Sequence, residues 1–196
     1  MNVGILLLAA GSARRFRSDK RFALMPGGNT VLEGVLDNIT LSGLPVIVCL
    51  GPSDHELAAN LEARGIACQL CQRAAEGMGG TLAEGIAKLS NLDGVLIALA
   101  DMPWIDPASY RAIAEKMTQD TICVPVHGGR RGHPVGFGRR YFREMRQSGG
   151  DTGARHLLDL HTDRVREIPV DDPAIHRDID VPADIHCDGR KVGESS

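Results

Sequence analysis

The sequence has no excess of basic charge and contains no long apolar run. Its 22 basic residues are outnumbered by 25 acidic ones, so general binding to DNA or RNA is not expected. Five cysteines, an odd number, argue against a disulfide framework. Cys68 and Cys71 form one Cys-x-x-Cys pair, but no second pair completes a four-ligand zinc site, and ordinary strand cysteines are the favoured interpretation.

The apolar segments are too short for a membrane span, which requires roughly 20 residues. The apolar start of the chain is followed, not preceded, by basic residues, unlike a signal peptide. We therefore expect a cytoplasmic protein without membrane contact. The length predicts one domain over residues 1–187, with a flexible tail at 188–196.

Apolar runs of strand length alternate with segments of helical period. Capping boxes at Thr30-x-x-Glu33 and Ser53-x-x-Glu56 predict two helix starts, and Asp106 followed by proline predicts another. Further helices are expected from about residue 80 and near 139–147 and 152–161. The predicted strands are residues 3–8, 46–50, 66–71, 95–99, 121–126, 135–137 and 165–170.

This alternation predicts a three-layer α/β fold with a doubly wound, mostly parallel sheet of the Rossmann-like type. Ligands of such sheets bind at the carboxyl ends of the strands, where the strand order reverses. In the commonest order the first and fourth strands are neighbours. The loops after Leu8 and Leu99 would then lie on the two sides of one crevice.

The loop after the first strand combines small residues with basic ones. Small side chains leave room for backbone N–H groups to approach a phosphate. The motif begins with Leu8, and the small residues Ala9, Ala10 and Gly11 follow it. The basic residues that follow are Arg14, Arg15, Arg17, Lys20 and Arg21. With Asp19, residues 14–21 carry +4, which leaves −7 for the rest of the chain. Such a concentration of charge predicts an anion site, with a solvated turn as the alternative.

Asp101 directly follows a predicted strand without charged residues. A carboxylate at the end of a buried parallel strand suits Mg²⁺, which binds one or two carboxylates plus substrate phosphates. The alternative is a helix N-cap, but Asp106 already serves the next helix. A metal ligand is therefore favoured.

Together these loops resemble the molybdenum cofactor nucleotidyltransferases, and among them the cytidylyltransferase-like branch. Their larger group opens with L-A-A-G-x-S-x-R-x-G-x-x-K, and the matching residues here are Leu8, Ala9, Ala10, Gly11, Arg15 and Lys20. Further similar motifs lie at residues 77–82, 101–103, 131–134, 150–155 and 178–182. The sequence departs from the pattern at Ala13, Arg17, Thr81 and Val181, where the family has Ser, Gly, Ser and Thr.

The resemblance implies a nucleotide-diphospho-sugar transferase-like fold. It also implies transfer of a nucleoside monophosphate, with CMP favoured, from a Mg²⁺-bound NTP to a phosphate-bearing acceptor such as molybdopterin, releasing pyrophosphate. Transient contact with a molybdoenzyme or its chaperone would follow. The alternatives are a GTP-dependent guanylyltransferase, a sugar- or polyol-phosphate nucleotidyltransferase, or a catalytically silent binding module.

The resemblance also assigns roles to residues. Arg15 and Lys20 would neutralise the phosphates of the nucleotide, while Asp101, with Asp180 or Asp178 as a second carboxylate, would hold the metal. The residues expected to contact nucleotide or acceptor are Gln72, Gly79, Gly80, Thr81, His133 and Arg155. By themselves residues 77–82 fit a helix entry equally well, and Gln72 is a similarly weak candidate. A lone histidine such as His133 is more often structural than catalytic, and an Asp beside a proline is more often a turn residue.

Overall fold

The computed structural model describes residues 1–11, 19–150 and 153–186. In this part of the chain eight strands form one mixed sheet in the order β3-β2-β1-β4-β7-β5-β6, with β8 paired to β5. The strands are β1 Val3–Leu8, β2 Val46–Leu50, β3 Ala67–Leu70, β4 Gly94–Leu99, β5 Ile122–His127, β6 Arg130–Arg131, β7 Val135–Gly138 and β8 Val165–Pro169. The α-helices are α1 Val31–Ser42, α2 His55–Ala63, α3 Met78–Ala87, α4 Pro107–Lys116, α5 Phe142–Met145 and α6 Arg155–Leu160.

The predicted adjacency of the first and fourth strands is confirmed. β1 and β4 pair in parallel with Leu8 opposite Leu99, so the two loops that follow them start side by side. β1 is buried along its whole length. Its side chains alternate between two apolar cores, one on each face of the sheet. This arrangement is the doubly wound architecture predicted from the sequence.

Two strands run against the majority direction. β7 is antiparallel to both β4 and β5, and β6 is antiparallel to β5. The hairpin turn at Gly128 and Gly129, both at positive φ, leaves only residues 128–134 between β5 and β7. A parallel connection needs a dozen or more residues, so this segment can only return antiparallel.

One of the two predicted capping boxes forms. Thr30 and Glu33 make both reciprocal hydrogen bonds at the start of α1. The prediction for Ser53 was wrong, because α2 begins after Asp54 and without a side-chain cap. The Asp54 carboxylate instead accepts hydrogen bonds from the Gly51 N–H and from Arg21.

Three helices differ from their predicted bounds. α3 begins at Met78, two residues before the expected start. The segment near 139–147 divides into a 3-10 turn over Arg139–Tyr141 and the short α5, and α6 starts only at Arg155.

Cys49, Cys68, Cys71 and Cys123 are free thiols, as expected, and Cys187 lies outside the described residues. In the described part of the chain, no helix is long and apolar enough to cross a membrane.

The first turn of α3 contains glycine because its neighbours leave no room for a side chain. A Cβ at Gly80 would lie 2.2 Å from the carbonyl oxygen of Arg73, and one at Gly79 would lie 2.6 Å from the backbone of Gly149. Packing alone thus explains both glycines. Any role in nucleotide binding requires separate support.

We expect Gly80→Ala to destabilise the fold, although Ala is the better helix former by about 1 kcal/mol. The methyl group would meet a backbone oxygen that cannot rotate away, and such overpacking costs about 1–3 kcal/mol. Thermal melts should show a Tm lowered by roughly 3–10 °C. Gly27→Ala is the matched control, since nothing lies within 4 Å of its Cβ position. Equal melting of both variants would contradict the packing explanation.

Candidate active site

Three distant segments meet at the end of β4. The Nζ of Lys20 donates to Oδ2 of Asp101 at 2.7 Å and to the carbonyl of Ile179 at 3.0 Å. The N–H of Ile179 donates to the backbone oxygen of Asp101 at 2.9 Å. Two residues predicted to act together, Lys20 and Asp101, are therefore in direct contact, and the segment containing Asp178 and Asp180 reaches the same place.

The second carboxylate oxygen of Asp101 is the strongest sign of a metal site. Oδ1 is buried and has no hydrogen-bond partner among the described residues. Asp106 accepts the capping hydrogen bond from the Ala108 N–H, so Asp101 is not needed as the N-cap of α4. Burying a carboxylate oxygen without a partner is costly, and a bound cation would offset this cost. Asp101 therefore fits a divalent metal.

The described residues contain no group of three or more His, Cys, Asp or Glu side chains placed to hold a metal ion. A hard divalent cation at Asp101 would thus complete its coordination largely with water and substrate phosphates, as Mg²⁺ commonly does.

The segment after residue 176 is folded tightly around the site. Ile179 is fully buried and packs with Val31 and Ile185. The guanidinium of Arg177 stacks 3.4 Å from the ring centroid of Trp104, in the loop that carries Asp101. The N–H groups of Asp180 and Val181 both donate to Oδ2 of Asp184, which lowers the pKa of Asp184. The turn that carries Asp180 is thereby fixed.

A cavity of about 250 Å³ opens beside Asp101, between the β5–β6 hairpin and the segment that precedes Ile179. Its apolar lining is Leu99, Met102 and Ile175, and its polar lining includes Arg130, Arg131, His133, His176 and Asp178. Asp178 thus faces this cavity. Its role or that of Asp180 as a second metal ligand stays a prediction.

His133 lies in the wall of this cavity and precedes a cis proline. The backbone N–H of His133 donates to the carbonyl of Ile175 at 2.9 Å. The ring Nδ1 is buried without a hydrogen-bond partner in the described part of the chain. Burial lowers the pKa of His133, and the charges of Asp101 and Asp178 oppose the shift. The neutral form of the imidazole is therefore favoured.

The basic loop is not a uniform anion site. Arg21 is buried, and its guanidinium binds Asp19, Asp54 and the carbonyl of Ala9. Burial acts to lower the pKa of Arg21, but the hydrogen bonds and charges of Asp19 and Asp54 outweigh it and raise the pKa. Arg21 was predicted to add to the charge that attracts an anion. In the structure it instead binds the carbonyl of Ala9, next to the end of β1, and the Asp54 carboxylate. Arg14, Arg15 and Arg17 lie outside the described residues.

Arg21→Met is expected to destabilise the protein by about 3–5 kcal/mol, because it leaves the Asp54 carboxylate without its buried partner. Chemical denaturation measures the effect. Arg143→Met is the control, since Arg143 is exposed on α5. A loss no larger than that of Arg143→Met would contradict the assignment.

The same pair predicts a pH dependence. Burial raises the pKa of Asp54, but Arg21 and the Gly51 N–H outweigh it, and the net shift is downward. A carboxylate with a lowered folded-state pKa contributes its full stability above its unfolded pKa of about 4 and loses it as the pH falls. The difference in stability between wild type and Arg21→Met should therefore shrink below about pH 4.

Some backbone groups at the end of β1 already make hydrogen bonds to neighbouring strands. The N–H of Ala9 donates to the carbonyl of Cys49 at 2.9 Å, and the carbonyl of Leu8 accepts from Ala100 at 3.2 Å. The Ala9 N–H is therefore not available to a phosphate as the structure stands. Phosphate contact by Ala10 and Gly11, the latter exposed, stays a prediction.

Of the remaining predicted contacts, Gly79, Gly80 and Thr81 lie at the start of α3. The N–H of Gly79 donates to the carbonyl of Gly150 at 2.8 Å, which joins the motifs at 77–82 and 150–155. Thr81 is buried, Gln72 is exposed at the start of the 3-10 turn Gln72–Glu76, and Arg155 is exposed at the start of α6. Their roles in binding stay predictions.

The contact between Lys20 and Asp101 lies at the carboxyl ends of the central parallel strands, where ligands of doubly wound sheets bind. Residues 5–165 match the MobA-like NTP transferase domain. The chain belongs to this family, which confirms at family level the resemblance seen in the motifs.

Individual relatives are more distant. The bifunctional protein GlmU of Buchnera aphidicola subsp. Acyrthosiphon pisum is 28% identical over 137 residues, which are 69% of this chain and 29% of GlmU. The chain therefore spans less than a third of the length of this curated relative. The crystal structure of Rv0371c from Mycobacterium tuberculosis H37Rv has a TM-score of 0.80 at 26% identity, covering 93% of this chain and 94% of Rv0371c.

Rv0371c has also been crystallised in a complex with manganese, with a TM-score of 0.77 to this chain at 26% identity, covering 94% of this chain and 96% of Rv0371c. The molybdopterin-guanine dinucleotide biosynthesis protein A of Archaeoglobus fulgidus, at 18% identity and a TM-score of 0.65, covers 93% of this chain and 94% of its own. At that identity the similarity concerns the fold alone. These structures place the chain among nucleotide-diphospho-sugar transferase-like folds, as predicted.

Proposed function

We propose that the protein transfers CMP from a metal-bound CTP to a phosphate of molybdopterin and releases pyrophosphate. The observation that carries the proposal is the contact between Lys20 and Asp101 beside the buried, unpartnered Oδ1 of Asp101. One carboxylate for a divalent cation and one lysine for phosphate oxygens are the groups that phosphoryl and nucleotidyl transfer require.

The chemistry needs no nucleophilic side chain. A phosphate monoester is an anion at neutral pH and can attack the α-phosphorus in line with the departing pyrophosphate, so no general base is needed. A divalent cation at Asp101 would neutralise charge that develops on the phosphate oxygens. Lys20, and Arg15 on the evidence of its motif alone, would neutralise the pyrophosphate.

The acceptor site that we favour is the cavity beside Asp101. Its two arginines, Arg130 and Arg131, the latter paired with Glu167, suit an anionic group, and Leu99 and Ile175 supply an apolar surface for the rest of the molecule. This assignment differs from the sequence-based expectation for Arg155, which is exposed at α6. Transient contact with a molybdoenzyme or its chaperone follows only if the acceptor is molybdopterin.

A panel of the four NTPs, each with Mg²⁺ or Mn²⁺ and molybdopterin, tests the proposal through pyrophosphate release. CTP is expected to be the best donor, a preference that rests on the motifs at 77–82 and 131–134. Preference for GTP would make the protein a guanylyltransferase. Turnover only with a sugar or polyol phosphate would replace the acceptor, and no turnover with any donor would favour a silent binding module.

A further inference from the structure

Lys20 is bound to the Asp101 carboxylate, the group that would ligate a metal. Its Nζ lies 2.7 Å from Oδ2 of Asp101 and 3.0 Å from the carbonyl of Ile179, and both charged side chains are about one-fifth exposed. Asp101 thus already has a cationic partner on one oxygen, while its other oxygen has none among the described residues.

A divalent ion arriving alone would meet two obstacles. It would approach the Lys20 ammonium, which is bound to the other oxygen of the same carboxylate, and like charges at short range repel more strongly where water is partly excluded. It would also find no group of three ligating side chains in the described part of the chain to complete its coordination. The site is therefore poorly suited to a free cation.

A metal–triphosphate complex removes both obstacles. Its phosphates supply ligands to the metal and offer Lys20 a new anionic partner in exchange for Asp101. Ile179 is held from the other side, since its N–H binds the Asp101 backbone and its side chain is fully buried. The Asp101 loop can therefore keep its place when Lys20 leaves.

We propose that Lys20 is an exchangeable counter-ion of Asp101, so that the site takes up the metal–nucleoside triphosphate complex and excludes the free metal ion. The inference rests on the proposed function, because it assumes that Asp101 is the metal ligand. Nucleotide and metal then raise each other's affinity by the same factor, as linkage requires. Lys20 has two opposite effects: it weakens binding of the bare ion and strengthens binding of the complex.

The opposite signs make a direct test. Mn²⁺ is titrated as its chloride into the wild type and Lys20→Met, and unbound Mn²⁺ is measured by electron paramagnetic resonance. Without nucleotide, Lys20→Met should bind Mn²⁺ about tenfold more tightly than the wild type. With the non-reactive analogue α,β-methylene-CTP present, the variant should bind the complex more weakly than the wild type. Quenching of Trp104, the one tryptophan of the chain, reports the same binding three residues from Asp101.

Controls separate this exchange from other effects. Lys88→Met removes an equal charge from an exposed position at the end of α3 and should change neither titration. The double variant Lys20→Met, Asp101→Asn should lose the gain in Mn²⁺ affinity. Lys20→Gln replaces Lys20→Met if melting shows that the latter is unfolded.

Equal or weaker Mn²⁺ binding by the Lys20 variant without nucleotide would overturn the inference. This outcome is distinct from failure of the proposed function. The titration detects Mn²⁺ at Asp101 whether or not the protein turns over, whereas the proposed function is tested by transfer of CMP from CTP to molybdopterin.

Discussion

Asp101→Asn is expected to lower turnover by about 10³-fold while the melting temperature stays close to that of the wild type. Asn has nearly the size of Asp but lacks the negative charge that a hard divalent cation prefers, and the loss of such a ligand costs several kcal/mol of transition-state stabilisation. The fold should survive because the backbone oxygen of Asp101, which accepts from Ile179, is unchanged. Metal-dependent pyrophosphate release and thermal melts measure the two effects.

Asp106→Asn provides a matched comparison five residues along the chain. Asp106 caps α4 and has no place in the site, and Asn is itself a good N-cap, so this variant should keep both its activity and nearly all its stability. If Asp101→Asn melted early but retained normal metal dependence per folded molecule, Asp101 would be structural. The same assay on Asp178→Asn and Asp180→Asn would show which of them supplies a second carboxylate.

Lys20→Met is expected to lower turnover by about 10²- to 10³-fold, the usual cost of removing one pre-positioned transition-state cation. Rates are compared per folded molecule, because the ion pair with Asp101 is only about one-fifth exposed and its loss also lowers the stability of the fold. Steady-state rates at saturating metal and nucleotide give the measurement.

Lys88→Met, at an exposed position, should keep the wild-type rate. A Lys20 variant with an unchanged rate and intact melting would remove Lys20 from the mechanism.

The parts of the fold that sequence periodicity predicts best are the buried parallel strands. β1 and β4 are continuous apolar runs, and their adjacency follows from the usual order of doubly wound sheets. The antiparallel β7 is harder to anticipate, because its direction depends on the shortness of the connection from β5 and not on its own composition.

The site divides in the same way. Asp101 could be singled out because it ends a strand without charges, and this position is fixed by the sheet. The basic run by itself does not distinguish Lys20 from Arg21, and only the family motif singled out Lys20. In the structure Lys20 reaches Asp101, whereas Arg21 is buried between Asp19 and Asp54. That difference depends on the direction of each side chain from the short 3-10 turn Lys20–Phe22.

Long-range packing explains what remained unpredicted. Nothing in the local sequence indicates that the segment around Ile179 folds back onto Asp101, because the contact spans 78 residues of chain. The local sequence does not predict the stacking of Arg177 on Trp104 either. Only the resemblance of residues 178–182 to a known motif pointed toward this region.

The central claim, transfer of a nucleotidyl group at Asp101, is tested most directly with CTP that carries a radiolabel on its α-phosphate. Incubated with molybdopterin, Mn²⁺ and the protein, the label should move to the acceptor, and one pyrophosphate should appear for each labelled product. Both signals should fall together in Asp101→Asn. Release of inorganic phosphate in place of pyrophosphate, or no labelled product and no pyrophosphate with any of the four NTPs, would contradict the account.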